Sequence, residues 1–306
     1  MADLPAEDLL LEVTVPADAE DLASCVFLDL GTRGVQPLAG PSGGTVLQAW
    51  FDAALEPQPL VAEAVSRLSA YIPGASFSPR WSRVPRHDWV AETRHNFVPI
   101  PAGEHFLIHA SWNRPDDLRG RLPIQVDPGE AFGTGSHETT RLCLTLLEKH
   151  FDGGFRRVLD AGCGSGILLI AAARWLEKLR ADGRAGRPGE YFFAGIDIEE
   201  PSVEVSRKNL ALNGVEVPAD IRLCDLEHFS APPFDWVFAN ILSGVILANR
   251  KQLDTLLKPG GRILLTGVLA SEEPGFLPPV MELGWVLRER AQEGEWAAWV
   301  FGKPPA

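Results

Sequence analysis

Cysteine is scarce in this sequence, and no metal-binding spacing is present. Cys25, Cys143, Cys163 and Cys224 are scattered without a CxxC pair, which excludes a zinc ribbon and a dense disulfide framework. Four reduced, mostly buried thiols and no metal site are the expectation. The chain also lacks any apolar run approaching the roughly 20 residues that cross a membrane. Its first stretch, "MADLPAEDLL", has no basic region ahead of an apolar one, so no secretory signal is read there and a cytoplasmic location is expected. Basic charge is in deficit: 28 Lys and Arg against 41 Asp and Glu give a formal net charge of -13, which opposes the phosphate backbone of nucleic acids. A basic partner suits that balance better, while excess acid also serves solubility by itself.

What is present suffices for two domains, since 306 residues with 45% hydrophobic content can bury two cores. Residues 1–84 read as βαββαβ. "LLLEVTVP" alternates like a strand, "DAEDLASCVFLDLG" has helical apolar spacing, and "RGVQPLA" and "GGTVLQAWFD" are two further strands. A helix begun near Pro59 and a strand in "SFSPRWSRVP" complete the unit. That order is the ferredoxin-like split βαβ pattern, and no acid–base or metal set lies within it, so recognition is its expected task. Residues 85–100, polar and ending at prolines, read as a linker that begins with a short helix-like piece. Residues 101–306 open with the strand-like "EHFLIHASW" and "GRLPIQVDP" and then alternate apolar strand with amphipathic helix. Such alternation predicts a mainly parallel, Rossmann-like α/β sheet covered on both faces. The helix "PSVEVSRKNLALNG" closes on Gly214, "KPGG" ends the helix "GVILANRKQLDTLL", and the chain finishes on an antiparallel hairpin around Ala-Gln-Glu-Gly.

Candidate chemistry gathers at the strand ends. "LDAGCGSGIL" places Gly162, Gly164 and Gly166 between a strand and a helix, where the backbone turns sharply and lets a ligand approach. The spacing is GxGxG, with Ile at 167, rather than the dinucleotide GxGxxG, and this tighter turn suits an uncharged adenosine with a methionine tail better than a pyrophosphate. Asp197 ends the next strand, where a carboxylate accepts from both ribose hydroxyls. It lies 31 residues beyond Gly166, the excess over the usual spacing being an inserted surface loop, "KLRADGRAGRPGE". Asp225 ends the third strand, within reach of an adenine amine or else as a solvated turn acid. Asn240 ends the fourth, where it can orient an amine toward a methyl donor or else cap the following helix.

Taken together, "DWVAETRHNFVPI", "IHASW", "IQVDPGEAFGTGSHETTRLCL", "VLDAGCGSGILLIAAA", "GIDIEEPSVEVSRKNLALNGV", "FDWVFANIL", "LLKPGGRILLTGVLASE" and "EWAAWVFGK" resemble the PrmA family, methyltransferases of ribosomal protein L11. The resemblance covers nearly all of residues 101–306; residues 1–84 match in predicted architecture alone. It implies a class I methyltransferase domain that binds S-adenosyl-L-methionine and a small N-terminal domain that binds the ribosomal protein. On the matching motifs it implies cofactor contacts at Thr140, Gly162, Asp197 and Asn240; the reading of the glycine turn and strand ends adds Gly164 and Asp225 as cofactor contacts and Asn240 as the catalytic positioning residue. The "FGTGSHETT" loop would lie over the methionine end of the cofactor, with Thr139 and Thr140 at the start of the next helix and His137 shaping the pocket.

Several rivals fit parts of the same pattern. A base-modifying amino-methyltransferase would show Asn-Pro-Pro-aromatic where this chain has "NILS". A methyltransferase of another protein's lysine or of a small-molecule amine, and a non-catalytic cofactor-binding module, share the sheet. A nicotinamide dehydrogenase is disfavoured by GxGxG and by the terminal hairpin.

Overall fold

The computed structural model describes residues 7–40, 44–72, 74–85, 97–127, 135 and 137–305, with backbone alone at 18, 21, 25 and 28. The chain forms two compact units, Met1–His95 and Asn96–Ala306.

In the first unit β1 (Glu7–Val15), α1 (Glu20–Asp29), β2 (Gly34–Ala39), β3 (Thr45–Asp52), α2 (Pro57–Tyr71) and β4 (Arg80–Pro85) follow the anticipated βαββαβ order. The sheet runs β2-β3-β1-β4, antiparallel throughout. Period-two patterning sends Leu9, Leu11, Val13 and Val15 to one face, where they meet Leu47, Phe51, Phe27, Ala64 and Leu68. Helix α2 starts at Pro57, two residues earlier than its sequence spacing suggests, because proline fits the first helical turn.

Most of the expected linker, and the helix-like piece within it, falls on residues 86–96, outside the described residues. Its last residue, Ile100, opens a strand instead: β5 (Ile100–Ala102) pairs antiparallel with β6 (Phe106–His109), which pairs parallel with β7 (Leu122–Gln125).

The main sheet of the second unit contains β8 (Arg157–Ala161), β9 (Phe192–Asp197), β10 (Ala219–Leu223), β11 (Phe234–Asn240), β12 (Leu257–Leu269), β13 (Val286–Glu293) and β14 (Trp296–Gly302). Its order is β10-β9-β8-β11-β12-β14-β13. The first five strands are parallel, and β14 runs antiparallel between β12 and β13. Alternation along β8 and β11 feeds two cores. Val158, Trp236 and Phe238 face α3 (Glu138–His150), α4 (Ile167–Ala181) and α5 (Glu200–Leu212). Leu159, Val237 and Ala239 face α6 (Ser243–Leu256) and α7 (Glu273–Met281).

Three boundaries differ from the sequence reading. "KPGG" does not terminate α6, which ends at Leu256. Those four residues lie inside the 13-residue β12, where the register against β11 shifts between Phe234 and Trp236. The hairpin turn sits at Gly294 and Glu295, so Ala291–Glu293 belong to β13. The inserted loop is shorter than expected, because α4 runs on through Ala181 before Gly183 turns it. The rest of that loop is anchored: Tyr191 accepts from Gly186 N and donates to Gly153 O, each at 2.8 Å.

Candidate active site

At the carboxyl ends of the parallel strands lies a cavity of about 530 Å³, within the size range of small-molecule sites. The turn after β8 forms its floor. Gly162 N and Cys163 N both donate to Ile196 O, at 2.8 and 3.0 Å, which ties the turn to β9. Gly162 (φ +79°) and Gly164 (φ +50°) both occupy the left-handed region, and a Cβ on Gly162 would overlap the Ile241 side chain. The glycines are therefore required by geometry, whatever the ligand.

Asp197 stands opposite the turn. Its Oδ2 accepts from Gly164 N at 2.9 Å and its Oδ1 from Glu199 N at 3.1 Å. Each carboxylate oxygen has a further lone pair, so both can still accept from a diol. Ile198, 74% exposed, and the buried Leu226 add apolar lining beside it. Asn240 ends β11 on the face of Trp236 and Phe238 and lines the cavity; its side chain makes no hydrogen bond to the described residues. Leu242 and Val245, 70% and 41% exposed, line the same cavity just beyond it.

The N-terminus of α3 closes another side. His137 is the N-cap: its Nδ1 lies 2.8 Å from Thr139 Oγ1 and accepts from Thr139 N at 3.3 Å, while its ring meets Trp296 edge-on at 4.9 Å between centroids. Thr139 and His137 line the cavity; Thr140 does not. One residue turns a helix by about 100°, which carries Thr140 into the core, fully buried, with its Oγ1 unpartnered among the described residues. Within "FGTGSHETT", residues 132–134 and 136 lie outside the described residues, as do residues 128–131 just before it.

Asp225 also stands apart from the lining. Strand β10 ends at Leu223, and Asp225 accepts instead from His228 N at 2.7 Å and from the His228 ring, in an exposed turn. The His228 backbone N–H, and then its ring, hold the Asp225 carboxyl below its usual range; Asp225 in turn raises His228. The turn-acid reading of Asp225 is the one its geometry fits.

Sequence reasoning passed over Asp160, Trp296 and Cys224, which all line the cavity. For Asp160 the signal was visible: an acid in the otherwise apolar strand "RVLDA" is the informative kind of residue. Cys143 and Cys163 are buried free thiols, as expected, and Cys224 is half-buried; the Cys25 side chain is not among those described. Burial pushes the Cys163 thiol far up, which removes it as a nucleophile.

A Rossmann-like sheet in which one antiparallel strand is inserted next to last, with a GxGxG turn after its central strand, is the class I methyltransferase fold. The chain belongs to the ribosomal protein L11 methyltransferase (PrmA) family, whose family model matches residues 36–304. Among its relatives, the ribosomal protein L11 methyltransferase of Pelobacter propionicus is 35% identical, with 95% of this chain and 96% of that protein covered. That of Ralstonia pickettii is 38% identical, over 82% and 84%. A crystal structure of the ribosomal protein L11 methylase from Lactobacillus delbrueckii subsp. bulgaricus is similar at a TM-score of 0.58 and 26% identity, covering 68% of this chain and 100% of that one.

Proposed function

We propose that this chain transfers methyl groups from S-adenosyl-L-methionine to lysine side-chain or N-terminal amino groups of ribosomal protein L11, in the cytoplasm. The observation that carries the reading is the joint placement of Asp197, the glycine turn and Asn240 on one cavity in a chain of this family. The residues present fit the cofactor. Asp197 retains lone pairs for two ribose hydroxyls, Ile198 and Leu226 offer apolar surface to an adenine, and Asp160 is a buried carboxylate with both oxygens unpartnered, suited to a ligand carrying positive charge.

When bound, the cofactor supplies an electrophilic methyl group on a sulfonium. The chain's own task is to present a neutral, oriented amine. A lysine amine has a pKa near 10.4 in water, so it arrives protonated. Leu242 and Val245 provide an apolar wall that strips water from it, and desolvation disfavours the ammonium form. Asn240 accepts a hydrogen bond from the amine through its side-chain oxygen and so fixes the direction of the nitrogen lone pair. His137 is engaged with Thr139 at the helix cap and is not assigned as a base; water takes the proton.

Recognition of the protein substrate is assigned to the N-terminal unit, which shows no catalytic set among its described residues, and the chain's net charge of -13 favours a basic partner. The reading is tested by supplying the enzyme and methyl-labelled cofactor to a mixture of unmethylated ribosomal proteins. Label is expected in L11; label confined to other proteins, or to small molecules in an extract, contradicts the substrate assignment.

A further inference from the structure

Strand β7 is an edge whose free side is closed by side chains. Its inner backbone groups pair with β6: Leu122 N donates to His105 O and Val126 N to His109 O, at 2.6 and 3.0 Å. Pro123 and Gln125 therefore turn their backbone groups to the open edge, which in a bare sheet is a template for unwanted pairing. Arg174 of α4 donates to Pro123 O at 3.2 Å. Asn213, the C-cap of α5, makes both bonds that a further strand would make to Gln125: its Oδ1 accepts from Gln125 N at 2.9 Å and its Nδ2 donates to Gln125 O at 2.8 Å. The same Nδ2 donates to Asn209 O at 2.9 Å, and Asn213 O accepts from Arg174 at 2.7 Å. One helical turn earlier, Asn209 Nδ2 donates to Ser165 O at 2.9 Å, inside the glycine turn. Both asparagines are 4% exposed. Positions i and i+4 share a helix face, so one face of α5 holds the glycine turn at one point and β7 at the next. Both holds lead to the cavity. The turn gives Gly162 and Gly164 to its lining, and the chain that leaves β7 enters α3 through His137 and Thr139, which line it too. Just before them Gly135 (φ +87°) is buried, and a Cβ there would overlap the Ile108 side chain of β6, so the small sheet also backs the start of α3.

We propose that Asn209 and Asn213 are positioning residues for methyl transfer: together they register the glycine turn against β7, and so fix the cavity wall of Gly162 and Gly164 relative to the wall of His137 and Thr139. This rests on the proposed function and adds to it two residues that do not themselves line the cavity. Buried amides oppose folding unless they are bonded, and here every bond made by the two side chains ties together segments distant in sequence or the two asparagines themselves. The links act in series, from the glycine turn through Asn209, α5 and Asn213 to β7. Cutting either one releases the walls from each other, and cutting both adds little.

The test is equilibrium binding of S-adenosylmethionine to the full chain and to Asn209→Ala, Asn213→Ala, the double variant and Gly214→Ala, at a temperature well below every melting transition. There a two-state protein that has merely lost stability is still folded and binds as the parent does. Each asparagine variant is expected to bind about tenfold more weakly, the double variant no more weakly than the weaker single one, and Gly214→Ala, altered at the adjoining residue, as the parent. Parent-like affinity in Asn213→Ala, equal weakening in Gly214→Ala, or losses that multiply in the double variant overturn the proposal. Should Asn213→Ala not fold, Arg174→Met, at a partly buried residue, carries the test. It frees Pro123 O and Asn213 O, and binding at least about threefold weaker is expected, parent-like binding again overturning the proposal. If the unaltered, folded chain does not bind the cofactor, the cofactor reading falls and this proposal with it, a result distinct from parent-like affinity in the variants.

Discussion

Two acids sit on the same cavity with opposite surroundings. Asp197 accepts two backbone N–H bonds, so its charge is held in place by the turn it faces. Removing it takes away both the proposed diol acceptor and the tie to Gly164. Asp197→Ala is expected to weaken cofactor binding by about 10- to 100-fold, measured by calorimetry, since hydrogen bonds to a charged group are worth roughly 1.5–3 kcal/mol each. Asn240→Ala should leave cofactor affinity nearly intact and lower kcat roughly 100-fold, the scale of losing one oriented polar group at a reacting centre. An equal effect of Asn240→Ala on both quantities contradicts the amine-positioning role proposed for it. Asp160 behaves differently, because its folded-state carboxyl is raised. It binds a proton in the folded protein over a range where the unfolded chain has lost it, so its contribution to stability falls as pH rises from about 4 toward its folded value. The ligand-free Asp160→Asn protein should therefore gain in melting temperature over the parent across that rise, and a gap that does not change with pH contradicts this. In the sequence, Asp197 and Asn240 were legible because strand ends are where ligands meet such sheets. The side that Thr140 faces was not, since the spacing "HETT" does not say which of two adjacent threonines the helix turns inward.

Element by element, the patterns that were legible are those written in periodicity. Alternation marked β8, β9 and β11, and 3.6-residue spacing marked α4 and α5. Gly214 closes α5 as anticipated: its N–H donates to Ala211 O at 2.9 Å, Val215 N donates to Leu210 O at 3.1 Å, and its φ is +61°. A Cβ there would meet nothing within 4 Å, so Gly214→Ala isolates the backbone cost. A loss of about 1–2 kcal/mol in denaturant unfolding is expected, with cofactor binding unchanged; no loss contradicts the strained-cap account. What periodicity could not show is pairing between distant segments. The three-residue β5 exists because Ile100 and Ala102 find partners in β6. The Pro-Gly-Gly of "KPGG" reads locally as a stop signal, yet Lys303 N donates to Gly261 O and Gly260 N to Lys303 O, a ladder formed with the far end of the chain. Tyr191 likewise pins the inserted loop through two bonds, only one of them within the loop.

For the whole molecule, family membership and fold rest on most of the chain, whereas the substrate assignment draws on the family and on charge. The four-stranded N-terminal unit has a core of its own, and no helix among the described residues is long and apolar enough to cross a membrane. A basic protein partner steered by an acidic enzyme should associate more slowly as salt rises, because screening over about 10 Å at 0.1 M removes long-range attraction. Turnover at low substrate concentration should fall with ionic strength while cofactor affinity moves less, and salt-independent turnover contradicts electrostatic steering. The measurement that tests the central claim most directly is the intact mass of purified, unmethylated ribosomal protein L11 after incubation with this enzyme and S-adenosylmethionine, with Asp197→Ala run in parallel. Methyl increments with the unaltered enzyme that fade with the variant are the predicted result. An unchanged L11 mass, from an enzyme shown to bind the cofactor, would contradict it and move the methyl acceptor to another molecule.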